Sequence, residues 1–411
     1  MELPNRLLRW SHHFCLFRIF SPMKSLSGET NLLKAAFTHY IHTGLEVYRK
    51  PAMEYMRHSD EPIPDRAGHK HAEDAPFTFI DLFAGIGGFR YALERFGGHC
   101  VFTSEWDKYS QKTYFENFGD LPFGDITSEE TKSFIPDGFD ILCGGFPCQA
   151  FSIAGKRAGF NDTRGTLFHD VAEIIRRKRP RAVFLENVKG LFNHDRGKTL
   201  LTILSVLRDD LGYTVPDPQV LNARHFGVPQ NRERVFIIGF RDKADAGEFK
   251  YPERDEDTST FEEVKEEDPV SVKYYLSTKY LETLREHRRR HESKGNGFGY
   301  EIIPDDGVAN AIVVGGMGRE RNLVYDDRLT DFKPITKIKG EVNREGIRRM
   351  TPREWARLQG FPETFKIVVS DAQAYKQFGN SVAVPAITAT ARRVVEALQF
   401  NTKAYVQEGN N

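Results

Sequence analysis

From Phe77 onward, short apolar runs alternate with stretches of helical periodicity, and nothing else in this 411-residue chain restricts its fold as much. Phe77 to Phe83 is a strand-like run that ends in a glycine turn, and a helical pattern follows from Gly88 to Phe96. His99 to Ser104 reads as a strand and Asp107 to Phe118 as a helix. Phe139 to Cys143 and Ala182 to Glu186 are strands, separated by a helix over Leu167 to Arg177. After a helix from Thr199 to Leu207, Tyr213 to Leu221 and Val235 to Gly239 read as paired strands. The alternation predicts a doubly wound, Rossmann-like α/β sheet, whose ligands sit beyond the carboxyl ends of its strands.

The pattern breaks after Phe240. Lys250 to Pro269 is acidic and linker-like, and Ser271 to Glu345 is mixed, with glycine-rich turns. Order returns at Arg349, where Thr351-Pro352-Arg353-Glu354 has the form of a capped helix start with proline in the first turn. A last helix is expected over Pro385 to Leu398. The chain exceeds the size of one core, and the expected division is a larger domain in two pieces, 76–248 and 346–400, with a smaller domain over 249–345 inserted between them. Residues 1–75 lack sustained periodicity and are expected to be a partly disordered extension with one helix near Asn31 to Tyr48; Met23 is an alternative start, and 401–411 is a tail.

Lys plus Arg and Asp plus Glu both number 58, so total charge lends no support to a nucleic-acid partner. Local asymmetry exists in Arg176 to Arg179, Arg288 to Arg290 and Arg344 to Arg357; each such run suits a solvated face as well as a phosphate-binding one. Four cysteines (Cys15, Cys100, Cys143, Cys148) show neither a disulfide framework nor zinc spacing, so a reducing cytoplasm and no metal are expected. No run approaches the ~20 apolar residues of a membrane span, and no cleavable leader is evident.

Phe83-Ala84-Gly85-Ile86-Gly87-Gly88 joins a strand to a helix start, where glycines admit a close ligand and helix N–H groups are unpaired. A dinucleotide fingerprint would need glycine at position 90, where Arg90 stands, so a pyrophosphate is disfavoured. The next strand ends in Glu105-Trp106, an acid suited to ribose hydroxyls and an indole suited to stacking on a purine. Asp125, followed by Ile126, is placed to accept from an exocyclic amine. Together these point to an adenosyl cofactor without pyrophosphate.

Gly144-Gly145-Phe146-Pro147-Cys148-Gln149-Ala150-Phe151-Ser152 follows a buried strand. It resembles the Pro-Cys loop of the cytosine-5 DNA methyltransferases, and the glycine turn resembles that family's cofactor loop. Further matches come in the family's order: Glu186-Asn187-Val188, Gln230-Asn231-Arg232-Glu233-Arg234, Arg348 through Phe361, and Gln377-Phe378-Gly379-Asn380-Ser381-Val382. The resemblance spans Phe77 to about Leu398. It implies a methyltransferase sheet that uses S-adenosylmethionine, releases S-adenosylhomocysteine, and acts on a flipped cytosine in double-stranded DNA as a cytoplasmic, nucleoid-associated monomer, with or without a separate cognate restriction endonuclease.

The chemistry can be argued beside the resemblance. Cytosine C5 is a poor nucleophile until another nucleophile adds at C6, and a thiolate both adds and leaves well. Cys148 is the candidate; Cys143, inside a strand, is the buried rival. Glu186 is placed to protonate or hydrogen-bond N3, which calls for a raised pKa. Arg234, with Arg232, can fix the cytosine carbonyl oxygen or a phosphate; by resemblance Arg234 contacts the base, while Arg232 has the more structural part. Pro147 and the returning Asn380, Ser381 and Val382 would complete the cofactor pocket beside Phe83, Ala84, Gly85, Gly87, Glu105, Trp106, Asp125 and Ile126.

On the DNA side stand Ser152, Lys156 and Arg157 in a basic, glycine-flanked loop after the nucleophile, together with Gln230. In the target-recognition position, Arg319, Arg321 and Asn322 have the chemistry for bidentate contacts to base edges, or for turns and phosphate clamps. Lys294 to Tyr300 and Ser370 to Tyr375 resemble the Dcm-type branch, which methylates within CC(A/T)GG; Gly315 to Leu323 does not match that branch, which leaves the target open. A tRNA methyltransferase of the same fold would typically carry Pro-Pro-Cys and Cys-Phe-Thr, and this chain has neither. A catalytically dead DNA-binding relative is disfavoured by the presence of Cys148, Glu186 and Arg234.

Overall fold

The computed structural model describes residues 75–147, 166–254, 259–315, 317–333 and 340–402. The expected helix at Asn31 to Tyr48, the nucleophile Cys148, the loop residues Ser152, Lys156 and Arg157, and most of the tail lie outside them.

In chain order the first half gives β1 (Thr78–Leu82), α1 (Gly88–Glu94), β2 (His99–Ser104), α2 (Lys108–Phe118), α3 (Glu129–Ser133), β3 (Ile141–Gly145), α4 (Leu167–Lys178), β4 (Ala182–Val188) and α5 (Lys198–Ser205). Then come β5 (Gln219–Asn222), β6 (Gln230–Asn231), β7 (Glu233–Phe240) and α6 (Lys243–Glu248). Six strands form one sheet in the order β2-β1-β3-β4-β7-β5. β1 pairs in parallel with both β2 and β3, β3 pairs in parallel with β4, and β7 runs antiparallel to β4 and β5. The chain therefore steps to one side of β1 to make β2 and to the other side to make β3. The crevice at such a switch point is where open α/β sheets hold ligands.

Alternate residues of each strand enter opposite cores. Ile80, Leu82, Leu142 and Val183 pack beneath α4 and α5, while Phe79, Cys143 and Phe184 pack beneath α1 and the C-terminal helix. The paired strands expected from Tyr213 begin only at Gln219; upstream, Thr214 alone bridges to Phe240. Pro216 and Pro218 stand between, and proline cannot donate to a ladder.

The second half gives α7 (Thr278–Glu292), β8 (Ile302–Ile303), β9 (Ala309–Asn310), β10 (Leu323–Tyr325), β11 (Ile347–Arg349), α8 (Pro352–Leu358), α9 (Asp371–Asn380) and α10 (Val384–Ala397). A small sheet has the order β11-β10-β8, and β9 pairs with β6. Helix α7 stands where mixed turns were expected. It buries only Leu281 and Leu284, too few apolar positions to display a period against its Arg, His and Glu residues. The expected cap of α8 is present: Thr351 accepts from the Glu354 amide, and the Glu354 carboxylate reaches back to the Thr351 amide. A third core joins Phe261, Ile303, Ile312 and Val324 to Trp355, Tyr375 and Phe378, with Ile86 of the glycine turn among them.

Candidate active site

The turn after β1 is held in unusual backbone conformations. Phe83 has φ 55°, a region that costs a non-glycine residue about 1–3 kcal/mol, so surrounding bonds must hold it there. The Ala84 amide donates to the Ser104 carbonyl (2.9 Å), and the Gly87 amide closes the turn on the Ala84 carbonyl (2.8 Å). At Gly87 (φ 87°) any Cβ would overlap the Phe118 ring, and at Gly88 it would press on Val382, so α1 starts where only glycine fits.

Glu105, at the end of β2, is buried. It accepts the Gly85 amide at 2.8 Å and the Asp107 amide at 2.7 Å, so it fixes the turn while remaining a carboxylate at the strand end. Burial pushes its pKa up against the opposing pull of those amides. Trp106 beside it is 73% exposed, an indole largely uncovered by the described residues. Asp125 is exposed and accepts from the Thr127 amide and hydroxyl, while Ile126 is buried. Asn380 is the exposed last residue of α9; Ser381 and Val382 are buried behind it. The donor set fits an adenosyl group: an acid, a largely exposed indole and close-approach glycines at adjacent strand ends.

One strand spacing away, β3 ends at Gly145, opposite Glu186 of β4. Phe146 is buried and Pro147 exposed; Asn187 donates to the Phe146 carbonyl at 2.7 Å and so fixes the chain as it enters the Pro-Cys segment. Glu186 is buried, its Oε1 lying 3.0 Å from Arg234 Nε. A Cβ at position 145 would stand 3.2 Å from Glu186 Oε2, so glycine there keeps the carboxyl face open. Burial raises the Glu186 pKa, and Arg234 and Arg232 offset this only in part. Cys143, the rival thiol, is fully buried; its Sγ donates to the Ile80 carbonyl at 3.2 Å, and burial holds its pKa well above the ordinary thiol value.

Other candidates divide sharply. Arg232 is buried and donates to the carbonyls of Ile312 (2.9 Å), Gly379 (3.1 Å) and Ser381 (2.6 Å), a structural hub behind the site. Gln230 and Asn322, expected to face DNA, are instead buried scaffold. Gln230 donates to the Leu358 carbonyl and accepts the Ile312 amide; Asn322 accepts the Asn310 amide and donates to the Gly318 carbonyl. Neither amide is left to read a base. Arg319 and Arg321 are exposed, the first over the Tyr375 ring and the second 3.4 Å from Glu301. Of the basic runs, Arg177, Lys178 and Arg179 are engaged by Glu129, Glu173, Asp137 and the Leu211 carbonyl, and Arg348, Arg353 and Arg357 are likewise held internally. Sequence reasoning missed the Asn187 anchor. Its only signal was an asparagine after Glu186, with nothing to name a partner 41 residues away.

Over residues 77–396 the chain matches the model of a family described as C-5 cytosine-specific DNA methylase. It is 67% identical over 349 residues to the Type II methyltransferase M.HpaII of Haemophilus parainfluenzae, covering 85% of this chain and 96% of that one. It is 39% identical over 330 residues to the Type II methyltransferase M.HhaI of Haemophilus parahaemolyticus, covering 78% and 95%. Among solved structures, the S. pombe Dnmt2 methyltransferase superposes with TM-score 0.58 over 79% of this chain and 100% of that chain at 18% identity, a likeness of fold alone.

Proposed function

The chain belongs to the C-5 cytosine-specific DNA methylase family, and on that premise we propose how its residues divide the methylation of cytosine C5 in duplex DNA. It is a DNA cytosine-5 methyltransferase of the Type II kind. The finer reading is covalent catalysis on a flipped base, and the observation that supports it most is the buried Glu186 carboxyl. That group, with raised pKa and one arginine partner, stands across a single register position from the strand that leads into Pro147-Cys148.

In this reading the Cys148 thiolate adds to cytosine C6 while Glu186 gives a proton to N3, and electron density moves to C5. C5 takes the methyl group, a base removes the C5 proton, N3 returns its proton to Glu186, and the thiolate leaves C6. Arg234 steadies the Glu186 carboxyl and meets the cytosine carbonyl oxygen. S-adenosylmethionine would supply the electrophilic methyl group, with Glu105 on its ribose, Trp106 on its adenine, and the Phe83 to Gly87 turn and Asn380 to Val382 around it. Extruding the base costs a few kcal/mol, which protein–DNA contacts must offset. Ser152, Lys156 and Arg157 are proposed to close over the DNA, and residues 249–345, with Arg319 and Arg321 outermost, to choose the target. Catalysis by a monomer, with any cognate endonuclease acting separately, completes the proposal.

Cys148→Ser should abolish transfer of labelled methyl groups to duplex DNA, while Cys143→Ser retains most of it. Wild-type enzyme should form a denaturant-resistant adduct with DNA containing 5-fluorocytosine, because fluorine cannot leave as a proton. Equal activity in Cys148→Ser and wild type, or no adduct during turnover, would overturn the covalent reading.

A further inference from the structure

Trp106 poses a problem that the cofactor reading leaves open. An indole 73% exposed has little packing to hold its plane, yet stacking on a purine rewards a ring already in place. Its backbone is fixed on both sides. On one side the Glu105 carboxylate is tied to the Gly85 amide. On the other, Asp107 caps α2, its Oδ1 accepting the amides of Tyr109 and Ser110 at 3.0 Å, and its Oδ2 accepts from Lys376 Nζ at 2.6 Å. Lys376 belongs to α9, one helical turn before Asn380.

Further hydrogen bonds tie α2 to α9 and to the segment before it. Thr113 donates to Gln377 at 3.1 Å, and Asn117 exchanges hydrogen bonds with the Lys366 backbone. Of these links only Lys376–Asp107 adjoins Trp106. The Asp107 side chain is 16% exposed and that of Lys376 41%, so the pair is partly shielded while remaining reachable by solvent. The other ties on the end of α9, from Arg232 and Gln359 to its last carbonyls, are buried and do not reach β2.

We propose that Lys376 and Asp107 are positioning residues for the cofactor: their ion pair spans the pocket from α9 to α2, setting both the plane of Trp106 and the distance to Asn380. The inference rests on the assignment of Trp106 to the cofactor pocket. Neither residue needs to touch the ligand; they act through the indole and the end of α9.

The test is calorimetric titration of the full chain with S-adenosylhomocysteine, which binds without turnover. Lys376→Met should weaken binding about two- to fivefold, the size of a partly exposed ion pair, and Lys376→Arg should restore most of it. Asp107→Asn keeps a good helix cap but loses the charge. It should weaken binding by a similar factor, and the double variant should be no worse than either single one, as coupled partners require. The KM for S-adenosylmethionine should rise in Lys376→Met while kcat at saturation stays within about twofold, since binding shared by ground and transition states is what is lost. Wild-type affinity in both Lys376→Met and Asp107→Asn overturns the proposal, as do losses that add independently. Trp106→Ala separates the two levels. If it leaves affinity unchanged, the pocket assignment itself fails; if it weakens binding while the ion-pair variants do not, only the positioning role fails.

Discussion

Two buried carboxylate–guanidinium pairs in this molecule share their chemistry and differ in everything around it. Arg348 is fully buried between Asp326 and Glu354: Nε donates to Asp326 at 2.8 Å, and Nη1 and Nη2 meet both oxygens of Glu354 at 2.8 and 2.7 Å. Glu354 also accepts the amides of Thr351 and Glu266, and Asp326 is doubly held by Arg328. Burial alone would raise the Asp326 pKa, yet Arg328 and Arg348 hold it well below the usual carboxylate range. Glu186 has one guanidinium contact, and among the described residues its Oε2 accepts no hydrogen bond. There burial wins and the pKa goes up. A carboxylate whose every lone pair is engaged is a structural ion; one left short of partners stays ready to hold and release a proton.

The contrast can be broken by substitution. Arg348→Met leaves the buried Glu354 without its guanidinium and Asp326 with Arg328 alone, and should cost about 3–5 kcal/mol of stability, read as the shift in a denaturant midpoint. A loss below about 1 kcal/mol would mean that the network is no more than a surface pair. Glu186→Gln should act in the opposite way. Methyl transfer should fall about 10²–10⁴-fold, the usual worth of a placed acid. Stability should hold, because burial disfavours the charged carboxylate in the fold relative to the unfolded chain, and the amide carries no such charge. In the proposed acid role, Glu186 makes wild-type activity decline as pH rises through its raised pKa, and the variant's residual rate should lack that limb. A destabilised Glu186→Gln protein would place this pair in the same class as Arg348–Glu354.

Asp81 sharpens the comparison as a third case, a carboxylate with almost no support. It is fully buried, among the described residues its Oδ2 has no hydrogen-bond partner, and burial pushes its pKa from 3.8 to about 8 despite the charge and backbone amide of Arg90. The folded state thus keeps a proton that the unfolded chain releases above 3.8, so this group costs stability progressively as pH rises between those values. Asp81→Asn should be near neutral at the acid end of that window and stabilising by a few degrees of Tm at its upper end. A melting-temperature difference that is flat across the window would show that Asp81 is ionised in the fold.

How much of this was legible beforehand follows from the range of each interaction. β1 to β4 with α1, α2 and α4 could be read because apolar runs and periods are local, as could the α8 cap, whose partners stand three residues apart; the short α3 could not. Helix α7 was hidden because two buried leucines make no period. Asn322 was placed on the DNA side from its chemistry, and Gln230 with the motif that contains it. Their buried partners belong to other segments, Leu358 standing 128 residues from Gln230, and no spacing within the chain announces such a contact. The raised pKa of Glu186 was expected from the reaction, but its origin in a sparsely satisfied strand end required the fold.

β1 and β3 are direct neighbours, with Leu82 beside Gly144, and a Cβ at Gly144 would come within 2.7 Å of the Leu82 carbonyl. The loops that carry the cofactor turn and the Pro-Cys segment therefore leave the sheet one strand spacing apart, about 4.8 Å. Backbone hydrogen bonds fix that interval, and no exchange of side chains resizes it. If the stretch between β7 and β11 chooses the target as proposed, descendants of such a chain could replace it wholesale and answer to a different DNA word, while the interval between the two loops would be inherited unchanged.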